Sequence, residues 1–290
     1  MSKPVLLMLL SRHPYAENSG RASMLRQRIQ QARLAFDVRL VVFGAPAGAA
    51  QDDGITFLPL ANPVAAALNV AWLGALPMQT WLYHSASNRA AVASLAQESG
   101  AAAIYIDMLR LAPLARDVPR ARIIDYDDLL SARYAQAADK DYEVMGFLAR
   151  RVGPLAPVAR AFARPVLRAE SARCARYEAK MRDDADLVLF TSPVEAAAFG
   201  GANVMAAPPL VAAQPLPDSI GDRLIFLGNM RYGENIVMLR ALAEAVRVLG
   251  AEGAWPSGVL IEAVGDHAPE LADEIGSARL RFLGRVEDLS

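Results

Sequence analysis

The sequence lacks several features that mark large protein classes. Its single cysteine, Cys174, excludes an internal disulfide, and no group of Cys and His residues has the spacing of a zinc site. It also lacks a strong net charge, because 30 Lys and Arg residues face 31 Asp and Glu residues, which leaves a formal charge of -1. We therefore expect no bound metal, no nucleic-acid partner and a reducing, cytoplasmic compartment.

Two nucleotide-binding motifs are absent as well. The chain has no G-x-G-x-x-G motif and no G-x-x-x-x-G-K-[ST] motif. These absences leave dinucleotide-dependent oxidoreductases and P-loop NTPases unsupported. Lysine is also scarce: the three lysines among 30 basic residues leave 27 arginines. Together with the abundant alanine, that bias suggests a GC-rich bacterial genome.

The sequence contains no uninterrupted apolar run that predicts a membrane span. Residues 5–10 form a run that is too short for a signal peptide, and we interpret it as a first strand. Residues 54–88 carry no charged side chain, and their length could cross a bilayer. Asn, Pro and Gln residues interrupt this stretch, so it favours a buried helix or a membrane-surface element over a span.

Short aliphatic runs alternate with longer helical patterns along the chain. This alternation predicts an α/β fold with a parallel sheet that is covered on both faces. The predicted strands lie at residues 4–10, 37–43, 101–107, 121–126, 186–192, 223–229, 258–265 and 279–286. A length of 290 residues corresponds to about two domains.

A proline-rich stretch at residues 204–223 separates two parts of this pattern. It has no helical period and is interpreted as a linker, which predicts a first domain at residues 1–215 and a second at 216–290. The second part has three predicted strands and two helices, and no helix follows its last strand. We therefore expect the second domain to be incomplete.

The loop after the first strand contains Gly20, just before a predicted helix that starts near Arg21. A helix N-terminus with a nearby glycine can bind an anion, but the same residues also fit an ordinary helix cap. Both interpretations stay open at this point.

Acidic residues follow the predicted strands. Asp107 ends one strand, and Asp125, Asp127 and Asp128 follow within the next. Ligands of open α/β sheets bind beyond those strand ends, where carboxylates can orient sugar hydroxyls, hold a cation or act as a base. Alternatively, one of these aspartates caps the following helix and the others are solvated.

The three histidines, His13, His84 and His267, are isolated in sequence, and an isolated histidine is more often structural than catalytic. His13 and His84 are the two that we consider for the site. Farther along, residues 150–180 form a basic amphipathic helix that Pro157 and Pro165 are expected to interrupt. This helix could lie on anionic lipid or form a solvated face.

The second part of the chain resembles a known family. The segments "RLIFLGNMRYGENIVMLRALAEAV", "LIEAVGDHAPEL" and "RFLGRVEDLS" resemble the donor-binding domain of family 4 retaining glycosyltransferases, which have the glycosyltransferase-B architecture. In the first part, "IIDYDDLLSARYAQAADK" and "ARYEAKMRDDADLVLFTSPVEAA" are similar to exopolysaccharide sugar transferases of that family. The resemblance extends over nearly the whole chain.

The resemblance implies two Rossmann-like domains and a transferase that moves a sugar from a nucleotide-diphospho-sugar to an acceptor hydroxyl, with retention of configuration. The acceptor would be a glycan or a lipid-linked sugar, and no cofactor is implied. A lipid-linked acceptor also predicts a peripheral contact with the inner face of the plasma membrane. We predict Asp127 and His84 as catalytic residues and His13, Asp107 and Asp125 as acceptor-side residues. The predicted donor and phosphate-binding residues are Gly20, Arg21, Gly228, Asn229, Arg231, Asn235 and Gly265.

The chain departs from the family at two points. The family often has a lysine where this sequence has Glu234, and its glutamate-rich segment lies downstream of the last strand found here. We therefore expect a C-terminally truncated transferase that is inactive by itself. The alternatives are a non-catalytic Rossmann-like module or partner subunit that binds a nucleotide or glycan, and a nucleotide-sugar 2-epimerase.

Overall fold

The computed structural model describes residues 2–16, 20–44, 54–61, 76–139, 156–210, 221–230 and 233–286. Within these residues the chain is an α/β protein with two parallel sheets, which confirms the predicted class. The chain divides into two compact units. The first contains Met1–Gln136 and Val166–Ala212, and the second includes Ala213–Ser290.

The described strands of the first unit form a seven-stranded sheet. They are β1 (Val5–Leu10), β2 (Asp37–Phe43), β3 (Ile55–Leu58), β4 (Ala101–Asp107), β5 (Ala121–Asp127), β6 (Leu187–Phe190) and β7 (Val204–Ala206). The three strands described in the second unit are β8 (Arg223–Leu227), β9 (Leu260–Val264) and β10 (Leu280–Gly284).

Helices connect these strands. The described α-helices are α1 (Gly20–Ala35), α2 (Ala86–Glu98), α3 (Leu130–Asp139), α4 (Ala156–Asp184), α5 (Pro193–Phe199), α6 (Gly233–Ala251) and α7 (Pro269–Ile275). Two 3₁₀ helices precede α2 and follow β4, at Met78–Leu82 and Leu109–Ala115.

Alternate side chains of the central strands fill two separate cores. In β1, Leu7 and Leu9 join the core on one face of the sheet, whereas Leu6 and Met8 join the core on the other face. Helix α1 contributes Leu25 to the second core. Because side chains alternate between the faces of a strand, a strand buried on both faces must be apolar throughout, as β1 is.

The order of the first sheet is β3-β2-β1-β4-β5-β6-β7. The chain moves from β1 outward to β2 and β3 and then returns to pair β4 with the other side of β1. The loops after β1 and β4 therefore leave the sheet in opposite directions. In open α/β sheets, the crevice at such a reversal is the usual ligand position.

The structure corrects the sequence interpretation at two points. The predicted linker begins with a strand, since β7 pairs with β6 at the edge of the first sheet. The predicted interruption of the basic helix at Pro157 and Pro165 is wrong, because α4 is continuous. Pro157 lies in the first turn, where a missing N–H costs no intrahelical hydrogen bond.

The uncharged stretch at residues 54–88 is described only in part. Its beginning forms β3, and its end forms the first 3₁₀ helix and the start of α2, where the Ser85 hydroxyl accepts the Asn88 N–H. The helix or membrane-surface element expected between them falls on residues 62–75, outside the described residues. Across the described part of the chain, no helix has both the length and the apolar content that a bilayer crossing needs.

Two buried glutamates of α4 serve the starts of other helices. Glu178 accepts the backbone N–H of Ser131 at 2.9 Å and also the Ser131 hydroxyl, at the start of α3. Glu170 accepts the N–H of Met78 at 2.5 Å, where the first 3₁₀ helix begins. A carboxylate at a helix N-terminus satisfies unpaired N–H groups. The start of α3 is thus capped by a glutamate from another helix, 47 residues away in sequence.

The second unit is built on a sheet of order β10-β9-β8. Its core combines Ile261 and Ala263 of β9 with Leu239 and Val246 of α6 and Leu280 of β10. The loops after β8 and β9 approach each other closely: the Gly228 N–H donates to the Val264 carbonyl at 3.0 Å.

Gly265 is required by this close approach. A Cβ added at Gly265 would lie 2.0 Å from the carbonyl oxygen of Gly228, and the φ of Gly265 is +134°. Both the space and the backbone conformation exclude a larger residue. The glycine therefore lets the two loops meet.

We expect Gly265→Ala to destabilise the second unit by about 2–4 kcal/mol, because the backbone must shift and the residue would adopt a strained φ. Gly233→Ala is the matched control, since a Cβ there meets nothing within 4 Å. Urea unfolding and hydrogen exchange of β8 and β9 measure the effect. Equal stability of the two variants would contradict this account.

Candidate functional site

Polar side chains gather at the carboxyl edge of the first sheet. Ser11 follows β1, Asp107 ends β4, Asp127 ends β5 and Thr191 follows β6. Arg21, in the first turn of α1, reaches into the same place. The group includes the reversal between β1 and β4, where an α/β sheet usually holds its ligand.

Asp107 is fully buried and fully occupied by hydrogen bonds. Its Oδ1 accepts from Arg21 Nε at 2.9 Å and from Nη2 at 2.5 Å. Its Oδ2 accepts the N–H of Ser11 at 3.0 Å and the Ser11 hydroxyl at 2.6 Å. Burial by itself raises the pKa of Asp107, but the Arg21 charge and the Ser11 hydrogen bonds outweigh it and hold that pKa below its usual value.

Asp125 is the second fully buried carboxylate. The Tyr105 hydroxyl donates to its Oδ2 at 2.5 Å, and Arg28 Nε donates to the same oxygen at 3.3 Å. Its Oδ1 accepts from Arg21 at 3.3 Å and from the Asp127 N–H at 3.1 Å. Burial, together with Asp125, raises the pKa of Tyr105 well above its usual value, so the phenol stays protonated and donates.

The charges of this cluster nearly cancel. Arg21 and Arg28 balance Asp107 and Asp125, and Asp127 adds one further negative charge. Burial disfavours the charged form of Arg21, but Asp107 and Asp125 outweigh that penalty and raise its pKa. Buried charges persist only when they are paired and hydrogen-bonded, and each member of this pairing meets that condition.

Asp127 differs from the other two aspartates because its side chain reaches solvent. It is 26% exposed, whereas Asp107 and Asp125 have no exposed side-chain surface. Its Oδ1 accepts the Thr191 hydroxyl at 2.9 Å and lies 3.2 Å from Arg21 Nη1. Burial raises the pKa of Asp127, and Arg21 and Thr191 offset only part of that effect.

The backbone is strained beside these carboxylates. Asp127 and Met108, at the ends of β5 and β4, both have a φ of +65°. A positive φ is uncommon for residues other than glycine and costs about 1–3 kcal/mol. Such strain is typical of functional positions, where the surrounding contacts hold it in place.

The structure brings several predicted residues of the first unit together. Arg21, Asp107, Asp125 and Asp127 form one cluster, although the sequence did not predict that they pair with one another. Because Arg21, Asp107 and Asp125 are buried and occupied, they hold the site in place, and Asp127 offers the accessible carboxylate. Their phosphate and acceptor roles stay predictions.

The remaining predicted residues of the first unit lie around this edge. Gly20 is the first residue of α1, and a Cβ there would meet nothing within 4 Å, so no steric reason requires a glycine. His84 lies between the first 3₁₀ helix and α2, and burial, together with the charge of Arg89, lowers its pKa. His13 lies in the loop that Ser11 begins.

In the second unit, four predicted donor-side residues meet at the carboxyl ends of β8 and β9. Asn235, in the first turn of α6, donates from Nδ2 to the Asn229 carbonyl at 2.8 Å. Gly228 packs against this side chain, since a Cβ added at Gly228 would lie 3.0 Å from the same Nδ2. Gly265 completes the group through its contact with Gly228. Arg231 lies outside the described residues.

Sequence reasoning missed several partners of the cluster. Ser11 and Thr191 follow strands, so the argument that identified the aspartates could have found them as well. Arg28 lies seven residues after Arg21 on the face of α1 that also carries Leu25. Two arginines on a buried helix face are a sequence signal for a buried ion pair.

The counter-ions of the buried aspartates are arginine side chains. Among the residues that the structure describes, no group of three or more His, Cys, Asp or Glu side chains could hold a metal ion. The buried aspartates of this edge are paired with Arg21 and Arg28 instead.

Neither a family model nor a curated protein matches this sequence. Solved structures are similar to it in fold. Sucrose-phosphate synthase from Thermosynechococcus elongatus is 15% identical, and the comparison covers 97% of this chain and 70% of that one, with a TM-score of 0.55. A glycosyltransferase from Rickettsia africae is 11% identical, with 99% and 70% of the two chains covered and a TM-score of 0.50.

At this level of identity, the likeness establishes the fold. The predicted α/β fold of glycosyltransferase-B type is confirmed. Activity and substrates have to be argued from the residues of the two carboxyl edges.

We expect Arg21→Met to lower the free energy of unfolding by about 3–5 kcal/mol at neutral pH, because it leaves buried carboxylates without a counter-charge. Arg33→Met, on the exposed last turn of α1, is the control. The two variants are compared by urea unfolding.

The difference in unfolding free energy between Arg21→Met and the wild-type protein should depend on pH. In the wild-type protein the lowered pKa of Asp107 stabilises the fold above its unfolded-state pKa, and this contribution is lost as the pH falls through the folded-state pKa. Without Arg21, burial raises the pKa of Asp107, so acid relieves the penalty and the gap to wild type narrows. A gap that stays constant between pH 7 and pH 4 would show that Asp107 is not the group involved.

Proposed function

We propose that this protein is a retaining glycosyltransferase that moves a sugar from a nucleotide-diphospho-sugar to an acceptor hydroxyl in cell-surface or exopolysaccharide synthesis. The fold likeness supports the transferase class, since one of the similar structures is named a glycosyltransferase. Retention and the polysaccharide role rest on the sequence resemblance. The observation that carries the proposal is the accessible carboxylate of Asp127 at the carboxyl edge of the first sheet.

Asp127 is the residue to which we assign the acceptor hydroxyl. Its Oδ1 is held by Thr191 and Arg21, which restrains the position of the carboxylate. A fixed carboxylate can accept a hydrogen bond from a sugar hydroxyl and orient it for attack. The raised pKa of Asp127 also moves it toward neutral pH, where general acid–base catalysis is most effective.

The donor is assigned to the second unit. The glycines at positions 228 and 265 bring backbone close to backbone, and α6 begins beside them. Unpaired N–H groups at a helix start, together with a basic side chain, stabilise the charge of a leaving diphosphate without a metal ion. Arg231 is the basic residue that we assign to this task.

Contact with an anionic membrane surface would suit a lipid-linked acceptor. In α4 the two glutamates between residues 164 and 180 are buried, whereas Arg176 and Lys180 are exposed. The exposed side of this stretch is therefore positive. Basic residues near an anionic leaflet contribute about 1 kcal/mol each to binding.

Asp127→Asn tests the assigned acceptor carboxylate. In a chain extended by the family's glutamate-rich segment, we expect transfer to fall by about 100- to 10,000-fold, the range for a lost acid–base group, with little change in affinity for the nucleotide. Asp117→Asn is the control, because Asp117 is 57% exposed and pairs with Arg89 at the surface. The assay measures nucleoside diphosphate release from a panel of UDP-, GDP-, ADP- and dTDP-sugars, and NMR of the product gives its configuration.

The outcomes separate the candidate functions. In the extended chain, nucleotide-sugar binding without transfer would favour the non-catalytic module, and interconversion of the free nucleotide-sugar would favour the epimerase. Transfer that Asp127→Asn leaves unchanged would remove Asp127 from the mechanism.

Membrane contact is tested by sedimentation with vesicles of phosphatidylglycerol and phosphatidylcholine. Replacing both Arg176 and Lys180 with Gln should remove about 2 kcal/mol of membrane-binding free energy, so binding to the anionic vesicles should weaken by roughly 30-fold. Arg33→Gln controls for charge alone. Full recovery of the wild-type protein in the supernatant at low salt would contradict the assignment.

A further inference from the structure

An aromatic cluster lies in the first unit beside the carboxyl edge. The His13 ring stacks on Phe57, with 5.8 Å between ring centroids and 13° between their planes. Tyr15 meets the same His13 ring edge-on, at 6.1 Å and 74°. Phe57 belongs to β3, at the edge of the sheet, whereas His13 and Tyr15 follow β1. The cluster therefore extends across β2.

Backbone hydrogen bonds fix the orientation of His13. Its Nδ1 accepts the N–H of Tyr15 at 3.1 Å and that of Ala16 at 2.9 Å. A ring nitrogen that accepts a hydrogen bond carries no proton, so the neutral ring has its proton on Nε2. Among the described residues, no group accepts a hydrogen bond from this Nε2–H. It is an oriented donor.

Tyr15 adds an exposed ring. It is 46% exposed, and its hydroxyl has no hydrogen-bond partner among the described residues. The cluster thus combines aromatic surface, one oriented N–H donor and one phenol, none of which carries a formal charge when His13 is neutral. A large aromatic side chain left in water costs free energy that a ligand covering it would recover.

The cluster is anchored to the site. Ser11, two residues before His13, donates its N–H and its hydroxyl to the buried Asp107. Asp107 and Asp127 share Arg21 as their counter-ion. One ion cluster therefore positions both the accessible carboxylate and the start of the aromatic loop.

A pyranose ring matches this chemistry. Its C–H groups carry a partial positive charge and pack on the negative face of an aromatic ring, while its hydroxyls accept from an N–H and exchange hydrogen bonds with a phenol. The nearby guanidinium of Arg26 is already engaged, since its Nη1 donates to the Pro14 carbonyl at 2.8 Å, so the cluster itself offers an anion no formal charge. A nucleobase could stack, but the donor that brings one is assigned to the second unit.

We propose that His13, Tyr15 and Phe57 form a binding subsite for a neutral hexopyranose ring of the acceptor. Tyr15 supplies the stacking surface, His13 donates from Nε2 to a ring hydroxyl, and Phe57 supports the His13 ring from behind. Only the identification of the bound sugar as the acceptor rests on the proposed transferase function. Binding of the sugar can be measured without transfer.

Saturation-transfer NMR with methyl glycosides of glucose, mannose and galactose tests binding, and uridine serves as the nucleobase probe. Tyr15→Ala should weaken glycoside binding by about 10-fold, and Tyr15→Phe, which keeps the ring, should stay within about 3-fold of wild type. His13→Asn keeps an acceptor for the two backbone N–H groups and removes the Nε2 donor, and it should also weaken binding. In the transfer assay, Tyr15→Ala should raise the KM for the acceptor and leave the KM for the donor unchanged.

Three results would overturn the subsite: no glycoside binds at millimolar concentration, Tyr15→Ala binds as the wild type does, or saturation reaches uridine instead of the glycosides. The two proposals fail differently. Glycoside binding that depends on Tyr15, together with no transfer by the chain extended with the glutamate-rich segment, would sustain the subsite and reject the transferase. If the protein transfers sugar and Tyr15→Ala leaves the KM for the acceptor unchanged, the transferase is sustained and the subsite is rejected.

Discussion

The first unit depends on the pairing of two fully buried aspartates with two arginines of one helix. Asp107 and Asp125 lie at the ends of neighbouring strands, where neither carboxylate could stay ionised without a counter-charge. Arg21 and Arg28 supply it from α1. The pairing therefore joins the first helix to β4 and β5.

That pairing also determines where the accessible chemistry lies. With Asp107 and Asp125 neutralised, Asp127 adds a further negative charge beside Arg21, and its side chain is 26% exposed. The same Arg21 that balances Asp107 limits how far burial raises the pKa of Asp127. Stability and the proposed reactivity thus depend on one guanidinium group.

In the second unit, backbone contacts and not ion pairs hold the loops at the carboxyl edge of the sheet together. Its loops meet through backbone, since Gly228 and Gly265 leave no room for side chains between them. Asn235 then ties the loop after β8 to the start of α6 through one hydrogen bond. The described part of one edge consequently presents charged and hydroxyl side chains, while that of the other presents backbone groups and a helix N-terminus.

The sequence alone predicted eight of the ten described strands, most helices and the parallel class, because apolar periodicity and glycine positions are local properties of the chain. It missed the two short strands β3 and β7, which lie at the edges of the first sheet. It also placed acidic residues at strand ends, and Gly228, Asn235 and Gly265 in one group. Only the tertiary structure decided which charges pair. Arg21 and Asp107 are 86 residues apart, and Glu178 reaches α3 from another helix. Burial depends on the packing of distant elements, so no local pattern shows that Asp125 is enclosed while Asp127, two residues later, stays accessible.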